Sequence, residues 1–131
     1  MTRIAVLVAL GVLLVGSSYA MQDDPHFTGK SVVMDGKELS AARRGFEAGA
    51  RSAWHYHERG QLLLVEDGRM RTQKKGGPVK ELGKGESDYT GPNVTHWHGA
   101  VPGVALVQIN VGFGGETKWL ERVTDAEYNG K

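Results

Sequence analysis

The sequence predicts an all-β fold, and three observations lead to it. Gly, Pro, Asn and Asp punctuate the chain at intervals of about 8–12 residues, the spacing of turns in a sandwich or barrel. Between the turns lie short apolar segments instead of long ones. Helical periodicity sustained over about ten residues is missing, apart from a weak case at 118–128. A length of 131 residues is one domain's worth, with room for a single modest core.

The chain opens on a leader. Met1-Thr2-Arg3 is a short positive start, residues 4–15 are an apolar run, and Gly16-Ser17-Ser18-Tyr19-Ala20 supplies small residues. Ser18 and Ala20 occupy the −3 and −1 positions of a cleavage site, so residues 1–20 read as a secretory signal peptide. The run is too short for the ~20 residues that span a bilayer. No Cys follows it to carry a lipid. The expectation is a secreted or periplasmic mature chain, 21–131, with no membrane attachment.

Residues 21–30 show no periodicity and read as an arm. Strands are expected at 31–34, 39–47, 51–57, 61–66, 69–73, 79–82, 86–90, 96–100 and 104–111. The separators are Asp35-Gly36, Asp67-Gly68, Gly76-Gly77, Gly91-Pro92-Asn93 and Pro102-Gly103, all with recognisable turn chemistry. A single domain is expected over 21–131, its core at about 31–112 and a C-terminal extension at 113–131.

Charge narrows the function. Lys and Arg total 16 against 15 Asp and Glu, and Arg3 is the one charge in the leader, so the remainder is balanced. A balanced chain lacks the basic footprint of a nucleic-acid or anionic-membrane binder. The absence of Cys excludes disulfides, thiolate metal sites and cysteine nucleophiles.

Four of the five histidines form two pairs, His55-x-His57 and His96-x-His98. Residues i and i+2 of a strand share a face, so each pair projects two imidazoles to one side. After the tight turn Glu58-Arg59-Gly60, Gln61 opens the next strand and can lie across from the first pair. The second pair closes this polar cup if the sheet curls. Imidazole suits Zn, Cu, Ni or Fe, and an amide oxygen suits harder ions such as Mn. The remaining histidine, His26, reads as a solvated side chain of the arm.

Glycines frame these pairs in a recognisable way. Gly49-x5-His55-x-His57-x3-Gln61-x6-Gly68 resembles the first cupin motif, with Gln where many cupins carry Glu. Gly85, eleven residues before His96, resembles the start of the second. There Gly91 takes a Pro slot and Asn93 a Gly slot, which a residue tolerant of positive φ can fill. A narrower resemblance, to small single-domain cupins typified by bacterial hydroxynitrile lyases, rests on four stretches. They are Phe46-Glu47-Ala48-Gly49-Ala50-Arg51-Ser52-Ala53-Trp54-His55, Gly60-Gln61, His96-Trp97-His98-Gly99-Ala100 and the segment 119–128.

The resemblance implies a double-stranded β-helix (jelly-roll) barrel, often dimeric. It implies Mn(II), or a related divalent ion such as Fe, Ni or Zn, held by His55, His57, Gln61 and His96. It also implies reversible splitting of a cyanohydrin into aldehyde and cyanide. One departure is plain: those lyases carry a further His on the strand after the second motif, where this chain has Gln108. Gln moves no proton, so a proton-transfer role falls on His98 alone, as a general base toward the substrate hydroxyl.

Three neutral imidazoles and a neutral amide would leave a divalent ion its full charge, a strong Lewis acid that favours anionic ligands. The expected function is a metal-dependent lyase acting on a small molecule. The alternatives are a metal-dependent dioxygenase and a non-catalytic periplasmic binder. Trp54, Tyr56 and Trp97 read as wall packing, Arg51 as structural or at most an anion contact at the rim, and Lys74-Lys75-Gly76-Gly77 as a solvated hairpin tip.

Overall fold

The structure, a computed structural model, describes residues 20–131; the expected leader, apart from Ala20, lies outside the described residues. Two compact units divide the chain between Asp35 and Gly36. In the first, β1 (Gln22–Asp23) and β2 (Lys30–Ser31) pair antiparallel, with Gln22 opposite Ser31. The segment read as an irregular arm therefore carries a strand, and the strand expected at 31–34 shrinks to its beginning. His26 is exposed and meets only Asp24, two residues away.

The second unit holds β3 (Ser40–Phe46), β4 (His55–His57), β5 (Gln61–Lys74), β6 (Lys80–Gly83) and β7 (Ser87–Thr90). It continues with β8 (His96–Ala100), β9 (Leu106–Gly112), β10 (Thr117–Trp119) and α1 (Asp125–Tyr128). All pairings are antiparallel, in the order β10-β4-β8-β5-β9-β3, with β6 and β7 also on β5. The sheet curls into a half-barrel of the expected double-stranded β-helix type.

β5 makes the curl possible. Its 14 residues replace two expected strands, 61–66 and 69–73, and the expected turn at Asp67-Gly68 is a bulge inside one strand. The register on β9 shifts between Val65 and Asp67. Before the shift β5 also pairs with β7, and beyond it with β6 and β8, so one strand serves both walls. Gly68 is needed there twice over: its φ is +79°, and a Cβ would stand 1.9 Å from the Ala105 carbonyl oxygen. Turn chemistry is present as expected, but it bends a strand without ending it.

Leu63, Val65 and Met70 from β5 meet Ala100 and Leu106, with Phe46 and Leu82 packed alongside. Each large aliphatic side chain buried in this way contributes about 1.5–3 kcal/mol. A second cluster of Trp54, Trp97, Val123 and Tyr128 fastens the C-terminal segment. Arg51 stacks over Tyr128 at 4.3 Å and donates to the Val123 carbonyl and to Asp125, so it is structural, as its sequence position suggested. Trp54 and Trp97 are wall packing, in edge contact with each other at 6.5 Å.

The weak helix expected at 118–128 is one turn only. Thr124 caps it through a reciprocal capping box with Glu127. Its expected first residues are drawn instead into β10, which pairs with β4. Asn93, in the turn before β8, has φ +58°, the conformation its glycine slot demands. Among the described residues no helix is long and apolar enough to cross a membrane.

Candidate metal centre

Three strands bring the polar side chains together. β4 projects His55 and His57 from one face, and β8 aligns His96 opposite His55. Gln61 stands at the start of β5, and His98 follows His96 by one pleat on β8. Ring centroids lie 5.1 Å apart for His55 and His57, 4.3 Å for His55 and His96, and 5.5 Å for His57 and His96. His98 is 5.2 Å from His55 and 5.7 Å from His96. His55, His96 and His98 each offer a nitrogen within 4.8 Å of the other two. This trio includes the residue assigned to proton transfer and leaves His57 at its edge.

Hydrogen bonds decide which nitrogens face inward. His55 Nδ1–H donates to the Ala53 carbonyl at 2.9 Å, and His96 Nδ1–H donates to the Val94 carbonyl at 3.2 Å. A carbonyl only accepts, so in both rings Nδ1 carries the hydrogen and Nε2 keeps its lone pair. His57 Nδ1 lies 2.9 Å from the Thr117 hydroxyl, and its Nε2 is buried without a partner. Outer-shell oxygens holding Nδ1 are the usual way to aim Nε2 at a metal.

Gln61 supplies a sharper test. Its Oε1 lies 3.1 Å from His96 Nε2. The neutral ring has one hydrogen for two oxygens, those of Val94 and Gln61; with it on Nδ1, Gln61 Oε1 and His96 Nε2 both turn lone pairs toward one point, as two ligands of one cation would. Two ligands ~2.1 Å from one ion, at right angles, stand about 3 Å apart. The residues present therefore fit a divalent ion.

His98 differs from the other three. Its Nδ1 faces the Gln108 amide nitrogen at 3.0 Å, and that nitrogen also donates to Asn110 Oδ1 at 2.6 Å. With the amide donating to Nδ1, the His98 hydrogen sits on Nε2. His98 then presents a donor on the side away from Gln108, not the lone pair that the expected base needs. Gln108 is fully buried, its Oε1 unpartnered.

Burial keeps the imidazoles neutral. It lowers His55 to about 4, with His57 adding to the effect, and His96 to about 3, with His55 and His57 adding. His98 is pushed well below its usual range by burial and by His55 and His96. His57 is lowered less, since the Gln61 amide partly offsets its burial. Neutral rings are competent ligands at pH 7.

A cavity of about 450 Å³ opens onto this cluster, with Phe46 and Trp119 as its aromatic walls. The Trp119 ring lies 4.6 Å from His55 while remaining 64% exposed. Sequence reasoning missed this residue, because β10 is too short to show alternation.

A family model described as "Cupin domain" matches residues 43–109. An (R)-mandelonitrile lyase from Granulicella tundricola is 41% identical over 93 residues, 69% of this chain and 71% of that protein. The crystal structure of a cupin-like protein from Thermotoga maritima superposes with a TM-score of 0.67 at 33% identity, covering 86% of this chain and 92% of that one. A DMSP lyase from Ruegeria pomeroyi shares the fold, with a TM-score of 0.59 at 15% identity over 67% of this chain and 46% of that one.

Proposed function

The chain belongs to the cupin family, and on that premise we propose that it is an exported, divalent-metal-dependent lyase of the hydroxynitrile-lyase type. His55, His57, Gln61 and His96 would hold the ion, with Mn(II) the first choice and Fe, Ni or Zn as substitutes. The observation that carries this reading is the convergence of Gln61 Oε1 and His96 Nε2, 3.1 Å apart, within the histidine cluster. The buried, partnerless Nε2 of His57 supports it. When bound, a divalent ion supplies Lewis acidity toward a substrate oxygen.

The protein's own side chains do the rest. Gln61 brings no charge, so the cluster stays receptive to anions. His98 presents its Nε2–H as a hydrogen-bond donor to a departing anion, which leaves with the substrate's hydroxyl proton, and Gln108 holds that tautomer through Nδ1. Phe46 and Trp119 exclude water from one side of the cavity and offer apolar surface to the body of a substrate. A second copy of the chain is the expected partner, since β3 lies at the edge of the sheet.

The test is turnover of mandelonitrile by manganese-loaded protein, followed through the benzaldehyde absorbance with and without oxygen. Cleavage unaffected by removing oxygen is the expected result. Oxygen-dependent turnover would point to a dioxygenase, and retention of the ligand without turnover to a binder.

A further inference from the structure

Arg44 is the cation of the cavity that nothing occupies. It sits on β3, directly opposite Gln108 of β9 in the antiparallel register. Side chains of directly opposed residues project to the same face of a sheet. Gln108 projects inward to His98, so Arg44 projects inward too, and it lines the cavity. Its neighbour Arg43 points to the other face, where it binds Glu66.

Arg44 makes no hydrogen bond or ion pair among the described residues. The other arginine of the cavity, Arg51, is committed to Val123 and Asp125. No described Asp or Glu lines the cavity, so nothing within it compensates Arg44. A guanidinium offers a fork of donors that matches a carboxylate.

We propose that the substrate carries a carboxylate besides its reacting hydroxyl, bound by Arg44 at the mouth of the cavity, on a small molecule with an apolar body. The proposal rests on the lyase reading for the placement of the reacting oxygen at the histidine cluster. One free guanidinium matches one negative charge, and the aromatic walls at Phe46 and Trp119 match the apolar body. Arg44 is then a residue of specificity, distinct from the proposed metal ligands and from His98.

The test compares mandelate with its neutral analogue mandelamide by titration calorimetry on manganese-loaded protein. Arg44→Met should weaken mandelate about tenfold or more while leaving mandelamide within about twofold. Arg44→Lys should recover part of the mandelate affinity, which shows that charge at this position is what is read. Manganese content, measured on the same samples, should be unchanged in both variants. Equal mandelate affinity in wild type and Arg44→Met, a parallel fall for mandelamide, or no mandelate binding by wild type would overturn the proposal. A wild type that takes up no manganese but loses mandelate on Arg44→Met would leave Arg44 its role and defeat the metal reading alone.

Discussion

The amide nitrogen of Gln108 lies 3.0 Å from Nδ1 of His98, while the Nδ1 atoms of His55 and His96 face carbonyl oxygens. Donor and acceptor are exchanged at this one ring. Two imidazoles thereby turn lone pairs into the cluster and His98 turns an N–H.

Gln108→Glu reverses that partner. A carboxylate accepts from Nδ1–H and raises the His98 pKa from its buried value, moving the lone pair to Nε2. Nitrogen-15 spectra of the imidazole should show protonated Nε2 in wild type and protonated Nδ1 in the variant. The same tautomer in both would contradict the assignment. Gln108→His, which restores the imidazole seen in similar lyases, should raise cyanohydrin cleavage if the scaffold is otherwise complete.

Gln61→Glu tests the charge of the site. The variant should retain manganese, because a carboxylate oxygen replaces an amide oxygen. It should bind cyanide more weakly, because the extra negative charge reduces the attraction for anions. Cyanide titration of manganese-loaded protein measures this, and a gain in cyanide affinity would refute the electrostatic reading.

Acid should unfold the metal-free protein earlier than its carboxylates alone would allow. His55 titrates near 4 and His96 near 3 in the folded chain, against about 6.5 when unfolded. The unfolded state therefore binds more protons below pH 6.5, and stability falls as pH drops from there toward 4. Each ring contributes a slope of up to ~1.4 kcal/mol per pH unit. Glu66 and Glu81, lowered from 4.5, add their losses only below that value. Urea unfolding at pH 7, 6 and 5 after chelation isolates the histidines; a flat profile across that range would contradict their burial as neutral rings.

Gly68→Ala should cost about 3 kcal/mol or more, since the new Cβ meets the Ala105 carbonyl oxygen at 1.9 Å and φ is +79°. A thermal melt reads the loss. A small effect would mean that the bulge relaxes, and that β5 does not depend on it to serve both walls.

Much of this architecture was legible in the chain. β8 and β9 lie within apolar runs bounded by Gly91-Pro92-Asn93 and Pro102-Gly103, and both histidine pairs announce a shared face by spacing alone. The bulge was not legible, because Asp67-Gly68 offers the same positive φ to a turn as to a bend within a strand. β10 was not legible either: three residues cannot display alternation, and only pairing with β4 sets Trp119 against His55. The contact between Gln108 and His98 depends on two strands meeting inside a curled sheet, which neighbouring residues do not encode.

Metal content tests the central claim most directly. Purified protein, expressed without supplementation and measured by elemental analysis, should carry close to one divalent ion per chain. His55→Ala and His96→Ala should each lose most of it, and His98→Ala should keep it. A full complement of metal in both ligand variants, or its loss in His98→Ala, would contradict the assignment of His55, His57, Gln61 and His96 as the cage.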